Sequence, residues 1–209
     1  MNFYNRFIYP YLMQASLSVP AVTARRKRLL ANVRGEILEI GFGTGLNLPF
    51  YPTQVRQITV AEPNSQLSAL GRKRIQSSPI EIDFHPMGAE QLPFANQTFD
   101  SVVSSFTLCS ILEVTAALAE IRRVLKPDGC FYFLEHGLSP DPVVCLWQNR
   151  LTPLYSWLAC GCHLNRDMVQ IIEQGGFTFL ELERIYLPGE IKISGYTYQG
   201  WRHQSDKGF

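Results

Sequence analysis

Glu39-Ile40-Gly41-Phe42-Gly43-Thr44-Gly45 places a carboxylate beside three alternating glycines. A residue without a Cβ lets the backbone turn sharply and come close to a bound molecule. The loop directly follows the apolar run 36–40 and reads as a nucleotide-binding loop rather than a plain strand–helix turn. A dinucleotide fingerprint needs G-x-G-x-x-G, and here the third glycine, Gly45, comes one residue early. A ligand without phosphate is therefore better supported than a pyrophosphate on a helix N-terminus. Glu62 ends the next apolar run, about twenty positions on, where a carboxylate grips a ribose diol. Alone it would read equally well as an exposed loop acid; beside the glycine loop, ribose binding is favoured.

Two histidines are candidate catalytic residues. Glu135-His136 closes a buried apolar run, and an imidazole there suits proton abstraction from a nucleophile. A hydrogen bond within the fold is the equal alternative. His163 and Arg166 lie in a loop expected to flank the same crevice. Cys160-Gly161-Cys162-His163 holds metal-ligating types, but too close in sequence for a usual zinc pair, and no second C-x-x-C or distant pair completes a site. No metal is expected. A turn is expected there, before a helix capped by Asn165 with Arg166 and Asp167 in its first turn.

Alternating strands and helices must position these residues. Strands are expected at 36–40, 57–61, 80–84, 99–105 and 130–135, with Pro127-Asp128-Gly129 as a turn. Helices are expected from Pro63 to about Gln76, Glu113 to Leu125, from Asp141-Pro142 onward, and Arg166 to Gln174, which Gly175-Gly176 stops. Residues 3–17 should form two short helices broken by Pro10, and Ser18 and Pro20 should open a third, to about Val33. Two β-rich stretches, 177–187 and 191–198, end the chain. The pattern predicts an α/β, three-layer Rossmann-like fold with a mostly parallel sheet. Ligands in such sheets bind beyond the carboxyl ends of the strands, where strand order reverses.

Composition agrees with one domain. The chain has 209 residues, 46% hydrophobic and 18% charged, with a formal net charge of +1. Only Arg25-Arg26-Lys27-Arg28 resembles a basic stripe, so a nucleic-acid partner is disfavoured. No apolar run reaches membrane-spanning length, and no signal peptide is recognised. Five cysteines without framework spacing favour a reducing, cytoplasmic compartment.

Glu39–Gly45, Glu62-Pro63-Asn64, Gly88–Phe94, Phe99–Val103 and Leu125–Gly129 resemble, in order and spacing, the motifs of class I S-adenosylmethionine-dependent methyltransferases of the methyltransferase type 11 group. The resemblance implies a seven-stranded sheet whose last strand is antiparallel. It implies S-adenosylmethionine as cofactor, with Gly41, Gly43 and Gly45 on its methionine part, Glu62 on the ribose, and Ala89 and Glu90 near the adenine. Glu39, Asn47, Pro63, Ser105 and Phe106 join the same set. Many relatives carry an aspartate where this chain has Gly88, so the adenine contact passes to Glu90 or to backbone. Leu46–Pro52, Thr107–Ser110, Glu135-His136, Trp147-Gln148 and Gly161–Arg166 resemble more narrowly the branch with the alkyl-thiol S-methyltransferases and their bacterial relatives.

The expected organisation is an N-terminal helical lid, 1–34, on a methyltransferase domain, 35–209, in one structural domain. The expected reaction is methylation of a small-molecule acceptor, a thiol or related soft nucleophile first. The alternatives are a lipid or quinone methyltransferase at a membrane surface, and a non-catalytic adenosylmethionine-binding module. The aromatic segment Phe3–Tyr11 is expected to be a lid over the substrate, then core packing, then a weak peripheral membrane foot helped by Arg25–Arg28.

Overall fold

The computed structural model describes residues 3–65 and 68–203. The chain forms the strands β1 (Ile37–Ile40), β2 (Gln57–Ala61), β3 (Glu81–His85), β4 (Phe99–Ser105), β5 (Leu125–His136), β6 (Glu181–Tyr186) and β7 (Tyr196–His203). They join one sheet in the order β3-β2-β1-β4-β5-β7-β6. The first five run parallel, and β7 is antiparallel to both β5 and β6. All four residues of β1 are buried, as a parallel strand covered on both faces requires. The order reverses between β1 and β4, so the crevice opens at the carboxyl ends of those strands.

Helices α1 (Phe3–Phe7), α2 (Tyr9–Leu17), α3 (Pro20–Leu30), α4 (Ala69–Ser77), α5 (Val114–Val124), α6 (Pro142–Leu158), α7 (Met168–Gln174) and α8 (Lys192–Gly195) complete the described fold. On one face, Leu118 and Ile121 of α5 and Met168 and Ile172 of α7 pack with Phe131 and Phe133. On the other, Leu29 and Leu30 of α3 pack with Val103 and Leu134. Each such side chain contributes roughly 1.5–3 kcal/mol of burial free energy.

Several boundaries differ from expectation. Strand β5 begins at Leu125, which pairs with Phe99; pairing then jumps to Ser101 with Cys130, so the expected Pro-Asp-Gly turn is an irregularity inside the strand. Helix α4 starts at Ala69 because the Ser68 hydroxyl accepts from Gly71 N–H; residues 66 and 67 of the expected helix lie outside the described residues. Helix α7 is capped by Asp167, not Asn165, its carboxylate accepting from Val169 and Gln170 N–H. Pro10 sits in the first turn of α2, where a missing N–H costs nothing, and Val19, not Ser18, caps α3. The last strand starts at Tyr196, since residues 192–195 form α8.

Candidate active site

The ends of β1, β2 and β4 and helix α2 enclose a cavity of about 500 Å³, within the range of small-molecule sites. Glu39, Gly41, Gly43, Asn47, Glu62, Pro63, Ala89, Glu90, Ser105 and Phe106 line it, with Tyr9, Pro10, Met13 and Leu17 from the N-terminal segment. Gly45 is not on the lining; a Cβ there would press on the Phe42 ring. Neither His136 nor His163 lines the cavity.

The glycine loop is held from both sides. Gly41 N–H donates to Ala61 C=O at 2.8 Å, and Gly43 N–H donates to Glu62 Oε2 at 3.0 Å. The other Glu62 oxygen accepts from Asn64 N–H at 3.0 Å. Each carboxylate oxygen keeps a second acceptor site, which leaves Glu62 able to receive a diol. At Gly88 a Cβ would fall 2.2 Å from Glu90 Oε2. The Glu90 carboxylate thus fills the space that an aspartate side chain at 88 would take. Phe106 follows β4 at φ +53, an uncommon backbone state for a side-chain-bearing residue. Its loop is pinned by Glu135, whose carboxylate accepts from Thr107, Leu108 and Cys109 N–H and from the Ser104 hydroxyl.

Behind the glycine loop lies a buried polar network that sequence reading missed in part. Glu39 accepts from Asn47 Nδ2 at 2.9 Å and from the Tyr51 hydroxyl at 2.8 Å. Asn47 Oδ1 accepts from Arg26 Nε at 2.7 Å, and Arg26 Nη1 donates to Leu17 C=O at 3.1 Å. Arg26 is 2% exposed and Glu39 1%. Burial pushes the Glu39 carboxyl up to about 7, against the pull of Tyr51, Asn47 and Arg26. Burial lowers Arg26 to about 10, against the opposing charge of Glu39. The other basic neighbours go elsewhere: Arg25 pairs with Glu183, and Arg28 with Glu181 and Glu183. The expected basic stripe is thus one buried arginine and two arginines held in ion pairs, with Lys27 beside them. Periodicity within α3 held a hint, because Arg26 stands on the face of Val22, Leu29 and Leu30.

A group whose folded pKa lies above its unfolded value stabilises below the unfolded value and loses that stabilisation as pH rises through the folded one. For Glu39 the window runs from about 4.5 to about 7. Glu39→Gln keeps the network, its Oε1 accepting from Asn47 and its Nε2 donating to the Tyr51 oxygen. The variant should match the parent protein at pH 4–5 and exceed it by up to about 3 kcal/mol at pH 8. Urea melts at both ends of the window test this. A difference that does not change with pH would place the Glu39 shift in error.

His136 is 7% exposed, with Nε2 2.8 Å from Cys162 Sγ and Nδ1 buried without a hydrogen-bond partner among the described residues. Its ring stacks at 6.3 Å on that of Phe106. His163 donates its backbone N–H to Cys109 C=O, and its Nδ1 is likewise buried and unpartnered. Arg166 donates to Leu108 C=O. All three residues therefore lie against the loop after β4.

The methyltransferase domain family matches residues 38–133. The chain is 30% identical over 189 residues to the thiol S-methyltransferase TMT1B of Rattus norvegicus, covering 84% of this chain and 77% of that protein. It is 31% identical over 176 residues to a phosphatidylethanolamine N-methyltransferase of Cereibacter sphaeroides, covering 76% and 86%. Among solved structures, the fold is similar to the 1,6-didemethyltoxoflavin-N1-methyltransferase of Burkholderia thailandensis with bound S-adenosylhomocysteine. The TM-score is 0.68 at 14% identity, over 95% of this chain and 84% of that one.

Proposed function

The chain belongs to the S-adenosylmethionine-dependent methyltransferases, and from that premise we propose that its acceptor is a small apolar thiol. S-adenosylmethionine supplies a sulfonium-bound methyl group to a nucleophile in line with it. The residues of the cavity fit this cofactor: a carboxylate on the rim, glycines where the wall must be thin, and Glu90 in the space beside Gly88. In this reading Glu62 holds the ribose hydroxyls, Glu90 and Ala89 the adenine, and Gly41, Gly43 and the Glu39–Asn47 pair the methionine end.

One observation carries the acceptor class. Away from the glycine loop the cavity wall sets the apolar Met13, Phe106, Ile111 and Leu112 beside Tyr9, Thr107, Ser110 and Cys160, and among the described residues no histidine or lysine lines it. A thiol is a few per cent ionised at neutral pH without any base, whereas an alcohol is not. A wall that aligns the nucleophile and excludes water, without taking its proton, therefore suits a thiol. The rat thiol S-methyltransferase named above supports the same class. His136 and His163 could act on the acceptor's proton only from outside the lining. Helices α1–α3 serve as the lid, since Tyr9, Pro10, Met13 and Leu17 close the cavity over Gly43.

An acceptor screen with labelled cofactor, covering thiols, amines, phenols, quinones and phospholipids, tests the proposal. Methyl transfer to alkyl thiols, rising with pH as the thiol ionises, is the expected result. Turnover confined to amines or quinones would overturn it. Binding of cofactor with no turnover on any class would favour the non-catalytic module instead.

Glu62→Ala should weaken cofactor binding by about 1–3 kcal/mol, the range for hydrogen bonds to a charged group. The loss has two sources, because Gly43 and Asn64 N–H also lose their acceptor. Calorimetry reads it directly, and an unchanged dissociation constant would move ribose recognition elsewhere.

A second reading rests on exposed apolar side chains of the lid and of α6. Phe3, Tyr11 and Leu12 stand out beside Trp147, Leu154 and Trp157, the last 78% exposed. Tyr4 and Tyr9 tie the lid to the carbonyls of Leu158 and Ala159, at the end of α6. No described helix is long and apolar enough to cross a membrane. A cytoplasmic protein touching a bilayer with this face is the proposed localisation. Arg25 and Arg28 are already paired, so such contact would be apolar and insensitive to anionic lipid. Co-sedimentation with phosphatidylcholine vesicles, lost in Trp157→Ser, would support it; no sedimentation would remove it.

A further inference from the structure

Cys109, His136 and Cys162 come from three separate segments and meet in one buried place. Cys162 Sγ lies 2.8 Å from His136 Nε2 and 3.3 Å from Cys109 Sγ. One ligand atom from each of the three residues falls within 4.8 Å of the others. Sequence spacing could not reveal the group. Local pairs such as Cys160 and Cys162 invite attention, yet Cys160 lines the cavity and only Cys162 turns inward.

We infer that Cys109, His136 and Cys162 form a binding site for a zinc-class divalent cation, with a fourth position left for water or another ligand. A tetrahedral zinc centre, with Zn–S of about 2.3 Å and Zn–N of about 2.0–2.1 Å, sets its ligand atoms about 3.5–3.8 Å apart. The two separations at Cys162 need an opening of only about half an ångström to about 1 Å to reach that geometry. Two thiols and an imidazole are the donor set that zinc prefers over harder cations. Binding expels one proton from each thiol, and two thiolates then neutralise the dication, which makes its burial cheap.

The frame for such a centre exists without the cation. Cys109 C=O accepts from His163 N–H at 2.9 Å, Leu108 C=O from Arg166, and Leu138 N–H donates to Arg166 C=O at 2.8 Å. Glu135, one residue before His136, holds Thr107, Leu108 and Cys109 N–H. The alternative, three satisfied core side chains, fits the imidazole poorly. Its Nε2 has a thiol for company and its Nδ1 has no hydrogen-bond partner among the described residues. A cation on Nε2 replaces the weakest kind of hydrogen bond with a coordinate bond. Its consequence is positional: Thr107 and Ser110 flank Cys109 and line the cavity, as does Cys160 two residues before Cys162. The cation would staple the two loops that shape the acceptor end.

Elemental analysis of the full chain, purified without chelator, should find one zinc per chain. Cobalt substitution should give a thiolate-to-cobalt charge-transfer band and the visible bands of a tetrahedral centre. Cys109→Ser and Cys162→Ser should each cut metal content at least tenfold, while Cys145→Ser and Cys160→Ser should keep it. Circular dichroism and adenosylmethionine binding on the same samples separate metal loss from unfolding. Should both inward variants unfold, His136→Asn and a chelator titration of the parent protein replace them. Five titratable thiols with no metal taken up from added zinc would overturn the inference, as would a Cys109–Cys162 disulfide. Metal that follows Cys160 rather than Cys162 would do the same. None of these readouts depends on the acceptor, so the thiol proposal stands or falls separately.

Discussion

Gly43→Val is expected to leave a folded protein that no longer binds S-adenosylmethionine. Gly43 sits at φ +55, where a left-handed backbone costs a side-chain-bearing residue about 1–2 kcal/mol. That cost fits within the ~5–15 kcal/mol by which a domain is stable. A Cβ at Gly43 would meet only the flexible end of Met13, its Cε at 3.1 Å, so the added branches enter the cavity rather than the protein. Gly41 provides the contrast. A Cβ there would lie 2.3 Å from Thr107 Oγ1 and 2.4 Å from its Cγ2, so Gly41→Val should break the loop against the end of β4 and unfold the site. Overpacking by a branched side chain costs about 1–3 kcal/mol even where neighbours give. With the ligand as the neighbour, affinity should fall on the order of 100-fold or more. Calorimetry with adenosylmethionine, beside thermal melts of both variants, reads the two effects apart. Normal affinity in folded Gly43→Val would show that this part of the loop faces away from the cofactor.

What sequence alone could show follows from how local each feature is. The runs that became β1, β2 and β4 are short, and their limits fall within a residue of expectation. The seven strands and the antiparallel β7 came through the family resemblance rather than through periodicity, and the strand order only through the structure. Strand β5 starts earlier than expected: Pro127-Asp128-Gly129 is turn chemistry, yet Leu125 before it is recruited by its partner Phe99. The cap of α7 lies at Asp167, two residues beyond Asn165, since Asn and Asp compete for that role on sequence grounds and only geometry decides.

The site was legible where a single short segment carries it. Glu39, Gly41, Gly43 and Glu62 share one cavity because each ends a strand or begins the next loop. Arg26 and the Cys109–His136–Cys162 group were not legible, for a common reason. Each joins segments far apart in the chain, and each is defined by what surrounds it rather than by its neighbours in sequence. A run of basic residues looks like a solvated face until the helix turns one of them inward.

Arg26→Met should destabilise the protein by about 3–5 kcal/mol at pH 8, the cost of stranding a buried charge by removing its partner. Methionine matches the arginine stem in length, so packing against Val22 and Leu29 is largely kept and the loss reports the guanidinium. Two hydrogen bonds go with it, to Asn47 Oδ1 and to Leu17 C=O; the first ties the lid to the site and the second ties α3 to α2 within the lid. The remaining charge on Glu39 then has Tyr51 and Asn47 alone. Its carboxyl, already raised to about 7 by burial, moves higher still when the positive charge is gone. A carboxyl raised in the folded state favours folding at low pH and loses that advantage as pH climbs through its folded pKa. The Arg26→Met penalty should therefore be smaller at pH 6, where Glu39 can take up a proton, than at pH 8. Adding Glu39→Gln to Arg26→Met should recover most of the pH 8 loss, since no charge is then stranded. The double-mutant cycle, read by urea melts at both pH values, isolates the coupling. Strictly additive effects, equal at pH 6 and pH 8, would mean that Arg26 serves the lid through Leu17 and that Glu39 does not need its charge.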